Sequence, residues 1–278
     1  MNDPRGRQAA FNASSRGQWD GFSGHRLRVA TLLGAGAALG RTRVCILGAG
    51  NGNDLDLPAL LEAHREVHLV DLDPVALASG VARQGVADHP SLRSHGGLDV
   101  TGMLDAVAHW TPRTSIEPAD LEAIREWPYR RVGLALPGPF DLVASTCLLS
   151  PLIGNAYHAV GERHPQFLEL VRAIRAGHLR LLTHLTAPGG TAVLITDVAS
   201  SDTFPTLGSV PETSLPGLLR ELALGKKFFH GVDPAAVIEA FRRDPVAGAR
   251  IAKLDRIPPW RWNLHGRLYL VLAIRCRM

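Results

Sequence analysis

Three glycines spaced two apart, Gly48, Gly50 and Gly52, follow the apolar run Val44-Cys45-Ile46-Leu47 and precede Asn53, Asp54 and Asp56. Glycines at that spacing after a buried strand let the backbone turn sharply and come close to a ligand. A second apolar run, Val67-His68-Leu69-Val70, ends in Asp71. Strand, glycine turn, helix, strand and acid, in that order, hold a nucleoside-bearing cofactor in an α/β protein.

The kind of cofactor turns on position 53. A dinucleotide fingerprint, G-x-G-x-x-G, needs glycine there, and this chain has Asn53. Asp54 and Asp56 suit a helix N-terminus, but they repel a pyrophosphate placed at it. A cofactor with a cationic end and no phosphate fits the turn better.

The elements that position these residues follow from pattern and punctuation. Strands are expected at Arg43–Leu47, Glu66–Asp71, Leu92–His95, Phe140–Ser145, Thr191–Thr196, around Arg250–Asp255 and at Arg267–Arg275, with Pro188-Gly189-Gly190 as a turn. Helices are expected over Leu55–Ala63, from Asp73-Pro74 (an N-cap and an N1 proline), from Gln166 to Leu185, and at Leu215–Leu224 and Pro234–Arg243. Residues 1–18 read as loosely ordered, Tyr129–Pro139 as loop or irregular strand, and 198–217 as loop. An apolar helix follows His25 and ends near Leu39, with Gly40 as its stop. Strands alternating with helices imply a doubly wound, mostly parallel α/β sheet. The last two strands lack an intervening helix and pair as a hairpin, so one strand runs antiparallel.

Composition narrows the class. The chain has 278 residues, 46% of them hydrophobic and 20% charged, enough for a sizeable core. The net charge of +4 is mild and the basic residues are scattered, so nucleic acid is not the expected partner. Cys45, Cys147 and Cys276 are far apart in sequence and read as free thiols in a reducing, cytoplasmic compartment. The N-terminus lacks an apolar signal core. The apolar stretch Val29–Leu39 is too short to cross a bilayer. No histidine spacing resembles a metal motif.

With these segments laid out, the chain resembles the class I S-adenosylmethionine-dependent methyltransferases over roughly residues 43 to 278. Leu47-Gly48-Ala49-Gly50-Asn51-Gly52 looks like the family's first motif, and Leu69-Val70-Asp71-Leu72-Asp73 like its second. Gly97-Leu98-Asp99-Val100 looks like the third, Phe140-Asp141-Leu142-Val143-Ala144-Ser145 like the strand-four motif, and Pro188-Gly189-Gly190-Thr191 like the turn before strand five. The resemblance implies a Rossmann-like seven-stranded sheet with an antiparallel last strand and S-adenosylmethionine as cofactor. The implied cofactor residues are Gly48, Ala49, Gly50, Asn51, Gly52, Asn53, Asp71, Leu72, Asp99, Val100, Ser145 and Thr146. Asp71 would hold the ribose hydroxyls, and Asp99 would lie near the adenine amino group. Ile46 stands where many relatives carry an acid, and Asp54 or Asp56 is the candidate substitute.

Chemistry is expected beyond the carboxyl ends of the strands, chiefly after Ser145. His158, with Tyr157 beside it and Asn155 as a donor, is the first candidate to orient an acceptor or take its proton. His164 is weaker, and His178 and His184 are structural. The strand-four motif lacks the Asn-Pro-Pro-Tyr or Asp-Pro-Pro-Tyr pattern of relatives that methylate base nitrogens. The expected reaction is therefore methyl transfer to an O or N nucleophile of a small molecule. The alternatives are aminopropyl transfer on the same fold, a non-catalytic binding protein, and a nicotinamide oxidoreductase, which Asn53 disfavours. Residues 1–42 are expected to form a helical lid, with Trp19, Phe22 and His25 over the cofactor. The segment 200–232 and Pro258-Pro259-Trp260-Arg261-Trp262 are expected to complete the acceptor pocket of a monomer or homodimer.

Overall fold

The computed structural model describes residues 3–34 and 41–278. The expected helix end near Leu39 and its stop at Gly40 lie outside the described residues. In chain order the helices are α1 (Pro4–Ser15), α2 (Ser23–Gly34), α3 (Leu57–Ala63), α4 (Pro74–Arg83), α5 (Leu104–Val107), α6 (Pro118–Trp127), α7 (Gly133–Ala135), α8 (Leu149–Val160), α9 (Phe167–Leu185), α10 (Leu215–Leu224) and α11 (Pro234–Arg243). The strands are β1 (Arg43–Leu47), β2 (Glu66–Asp71), β3 (Leu92–Gly96), β4 (Phe140–Thr146), β5 (Thr186–Ser200), β6 (Lys253–Leu264) and β7 (Arg267–Arg277).

Among the described residues these strands form one seven-stranded sheet in the order β3-β2-β1-β4-β5-β7-β6. The first five pair in parallel, and β7 runs antiparallel to both β5 and β6. The sheet is thus the doubly wound, mostly parallel one expected, with the reversed last strand. The winding changes direction between β1 and β4, and their carboxyl ends open a crevice there.

Burial on both faces explains the apolar strands. Val44 and Ile46 point to one side, against Val29 and Leu33 of α2, Leu60 of α3 and Leu77 of α4. Cys45 and Leu47 point to the other, into a larger core with Leu149 of α8 and Phe167, Leu170 and Leu182 of α9. Each fully buried Leu or Phe side chain contributes roughly 1.5–3 kcal/mol. Helix starts follow local chemistry. Asp73 accepts from the Val75 and Ala76 amides with Pro74 at N1, and Asp56 caps α3 by accepting from Ala59.

The structure corrects four local readings. Residues 4–15, expected to be loose, form α1, capped by Asp3 with Pro4 in the first turn. Tyr129–Pro139 is not a strand: α6 runs into a wide helical turn, Pro128–Val132, and then α7. β5 is longer than Thr191–Thr196, because Thr186 already pairs with Phe140 before the chain bulges through Pro188-Gly189-Gly190. β6 likewise extends well past Asp255. Its two prolines fall at a register shift between Ile257 and Trp260 on the edge strand, where no ladder donor is needed.

Candidate functional site

The glycine turn leaves β1 with Gly48, Gly50 and Gly52 at φ of +79°, +49° and +63°, a region that penalises any side chain. Val70 accepts from the amides of Gly48 and Ala49. Asp71 fixes the rest: Oδ2 accepts from the Gly50 amide at 2.8 Å and Oδ1 from the Asp73 amide at 2.9 Å. Its carboxyl is buried, and that burial pushes its pKa up despite the two amides. Each oxygen keeps a further lone pair for a ligand.

Close packing beside the turn is supplied by Gly80 of α4, which the sequence reading passed over. A Cβ there would stand 2.2 Å from the Asn51 carbonyl oxygen. From the same helix end, Arg83 donates to Asn51 O at 2.7 Å and Gln84 to Gly52 O at 3.0 Å. The available signal was Gly80 four residues after buried Ala76, on the helix face turned inward. Gly80→Ala is expected to destabilise the fold by about 1–3 kcal/mol through overpacking. An unchanged melting temperature would contradict this close approach.

Asn51 and Asn53 hold α1. The Asn51 amide donates to Asn12 O at 2.6 Å and to Ser15 Oγ at 3.1 Å, and the Asn53 amide donates to Ser15 O at 2.7 Å. From α1, Asn12 donates to Asp73 Oδ2 at 3.1 Å and Arg7 to Asn155 Oδ1 at 3.1 Å. Asn155, expected as a donor to an acceptor molecule, lines the pocket and accepts this bond through Oδ1, which leaves its Nδ2 as the donor. These contacts join residues far apart in sequence, so residues 4–15 could look loose when read alone.

Between α1 and the carboxyl edge of the sheet lies a pocket of about 750 Å³. One wall is the glycine turn, with Gly48, Ala49, Gly50, Asn51 and Asn53, and with Asp54 and Asp71. Thr146 ends β4, Cys147 follows it, and Ser150 lies in the first turn of α8. Asp197 stands on β5, Trp262 on β6, and Arg267 and Tyr269 on β7. Tyr157 and His158 of α8 join Phe229 and His230 on the far side. An adjoining hollow of about 40 Å³ is lined by Leu72, Asp99 and Val100 and shares Gln8, Gly48 and Asp71 with the main pocket.

The pocket's electrostatics are acidic at depth. Burial pushes the Asp54 carboxyl up to about 7, with Asp71 adding to the rise and Arg26 opposing it. Burial also raises Asp197, although Ser150 donates to its Oδ1 at 2.5 Å and Arg267 lies near. His158 is held below its ordinary value by partial burial and then by the Arg7 guanidinium. It is therefore neutral near pH 7 and able to accept a proton. Burial raises the Cys147 thiol, so it is no nucleophile at neutral pH. Cys147 has φ of +45°, a conformation unfavourable for a side chain, directly after β4.

Of the expected site residues, Ser145 and Gly52 do not reach the pocket. Ser145 lies buried beneath it, hydrogen-bonded to His178 Nε2 at 2.8 Å. Successive strand residues alternate faces, so Thr146 points where Ser145 does not. Gly52 packs against Gln84 and α4. Asp99 lines the hollow while capping the turn at α5, accepting from Thr101 N and Leu104 N. Asp141 accepts from Arg43 N at a strand start, and His164 contacts Thr114 O, both away from the pocket. Phe22 and Trp262 meet edge to face on the wall. His25, expected above the pocket, is buried behind it and accepts from Trp260 Nε1 at 3.0 Å. Asp197, Arg267 and Tyr269 were missed. Asp197 directly follows the expected strand end at Thr196, which was the signal for it. Among the described residues no three His, Cys, Asp or Glu side chains gather as a metal site, and no helix is long and apolar enough to cross a membrane.

No protein-family model matches the sequence, and no curated protein sequence matches it. Solved structures do align with the fold. The chain is similar to the N-methyltransferase NodS of Bradyrhizobium japonicum, in complex with S-adenosyl-L-homocysteine, at 12% identity and a TM-score of 0.44, over 90% of this chain and 85% of that one. It is similar to magnesium protoporphyrin IX methyltransferase of Synechocystis, with bound S-adenosylmethionine, at 12% identity and a TM-score of 0.45, over 93% and 80%. A putative methyltransferase of Bacillus halodurans aligns at 11% identity and a TM-score of 0.41, over 89% and 97%.

Proposed function

We propose that the chain is an S-adenosylmethionine-dependent methyltransferase acting on an O or N nucleophile of a small molecule. The observation that carries this reading is the pocket along the carboxyl edge of the sheet. It begins at a glycine turn whose Gly50 amide is fixed by Asp71, and the carboxyls of Asp54 and Asp71 wall it at depth. Those carboxyls suit a sulfonium and an ammonium and oppose a pyrophosphate. The start of α3, where a dinucleotide's phosphates would sit, is already capped by Asp56.

The residues fit such a cofactor in a consistent order. Leu72, Asp99 and Val100 would take the adenine end, Asp71 the ribose, and Gly48 to Asn51 the backbone side. Asp54 replaces the acid missing at Ile46 and takes the amino group of the tail. Thr146 stands at the end of β4. When bound, the cofactor supplies an electrophilic methyl group. The chain's part is to align the acceptor for in-line attack, exclude water and accept a proton. His158, with the Tyr157 ring edge-on at a centroid distance of 5.6 Å, stands at the rim, where it can orient the acceptor or pass its proton on to water. Helix α1 is the lid, since it closes the pocket while resting on the glycine turn itself. The protein acts on a small molecule without nucleic acid or membrane, in the cytoplasm.

Isothermal titration of the full chain with S-adenosylmethionine and with S-adenosylhomocysteine tests the reading. Saturable binding of both is expected. Absence of heat with either, in protein that melts cooperatively, would overturn it.

A further inference from the structure

The acceptor half of the pocket has its own chemistry. Asp197 sits at the carboxyl end of β5, next to the β4 end, where a reacting group in a doubly wound sheet lies. Ser150 holds its Oδ1, and the residue is buried. Aromatic rings of Trp262 on β6, Tyr269 on β7 and Phe229 before α11 line the same pocket. Trp262 and Tyr269 have centroids 5.4 Å apart, and Phe229 and Tyr269 6.4 Å. These faces attract a cation within the protein itself: the Arg267 guanidinium lies 4.9 Å from the Tyr269 centroid and 5.9 Å from that of Phe229. Arg267 donates to Ser200 Oγ at 2.8 Å and is ion-paired with exposed Asp202 at 3.1 Å, and its charge also acts on Asp197. Asp197 is the pocket's carboxylate on the acceptor side.

Resting on the methyltransferase reading above, we infer that the acceptor is an amine carried on a flat apolar body, with its nitrogen held by Asp197 and its body against Trp262 and Tyr269. The chemistry balances without a further reagent. The bound ammonium gives one proton to the Asp197 carboxylate, and its freed lone pair forms the N–C bond to the donor methyl. The carbon–sulfur pair stays on sulfur, leaving a thioether and an N-methylammonium. Asp197 then returns its proton to water. A carboxyl raised by burial is suited to that exchange.

The test is calorimetry on the full chain saturated with S-adenosylhomocysteine, using phenethylamine and tryptamine against phenethyl alcohol and hydrocinnamate. At least one amine is expected to bind on the order of tenfold tighter than the alcohol and the acid, as for a charge-assisted bond. Asp197→Asn is expected to abolish that preference while binding S-adenosylhomocysteine normally, which also reports that the variant is folded. The preference in the unaltered protein stands as a measurement even where the variant does not fold. If S-adenosylhomocysteine binds but no amine is preferred, or the acid is preferred, or the preference survives Asp197→Asn, the amine inference falls and the methyltransferase reading stands. If S-adenosylhomocysteine does not bind the unaltered protein, both fall.

Discussion

Replacing Asp71 with alanine is expected to weaken S-adenosylhomocysteine binding by on the order of 100-fold, about 2–3 kcal/mol. The size follows from two losses. Ribose hydroxyls lose a charged acceptor, which alone costs about 1.5–3 kcal/mol. The Gly50 and Asp73 amides lose the oxygens that fix them at 2.8 and 2.9 Å, so the turn is no longer held in its binding shape. Asp71→Asn separates the two. It keeps one oxygen for an amide but presents a donor where the other carboxylate oxygen stood, and it is expected to fall between wild type and Asp71→Ala. Calorimetry with a parallel thermal melt reads both effects. Unchanged affinity in the alanine variant would remove Asp71 from the site.

The second large effect is a pH dependence set by Asp54. Its carboxyl titrates near 7 in the free protein rather than at the ordinary 3.8. A cationic ligand needs the ionised form. Below pH 7 binding must first expel a proton, so affinity is expected to fall about tenfold per pH unit and to level off above it. The free protein responds with the opposite sign. The folded state holds the proton more tightly than the unfolded chain, so the stability this group lends is complete below 3.8 and is lost as the pH rises through 7. Asp54→Asn should therefore be the more stable protein when free at about pH 8, yet the weaker binder there. Burial raises Asp71 and Asp197 as well, so the difference between wild type and Asp54→Asn is the quantity to plot. Parallel pH profiles for the two proteins would show that Asp54 does not meet the cation.

Much of this architecture could be read from the chain because its cues are local. β1 and β2 begin and end where their apolar runs do, since a parallel strand buried on both faces leaves a continuous signal. Asp73-Pro74 marked the start of α4 because capping needs only neighbours in sequence. What escaped depended on distant partners. Helix α1 carries few apolar residues and is held by Asn51, Asn53, Asp73 and Asn155. β6 runs on from the strand expected around Arg250–Asp255 through Pro258 and Pro259, which its place at the sheet edge tolerates. Ser145 and Thr146 were read as one unit, although the pleat sends them to opposite sides. Asp197 stood one residue beyond an expected strand end, and only the neighbouring aromatic rings from β6, β7 and the segment before α11 give it a role.

The manner in which α1 is attached also bears on motion. Its buried residues are Pro4, Asn12 and Ser15, whereas α9 buries Phe167, Leu170, Val171, Leu179, Leu181, Leu182 and Leu185. Local opening free energy follows buried apolar contact, so these helices belong to different cooperative units. The amides of α1 should exchange with deuterated solvent through small openings that leave the sheet intact, and those of α9 only when the whole domain unfolds. Ligand entry past α1, the lid proposed above, is then expected to draw on such a local opening, its cost set by the hydrogen bonds to Asn51, Asn53, Asp73 and Asn155 rather than by the stability of the fold.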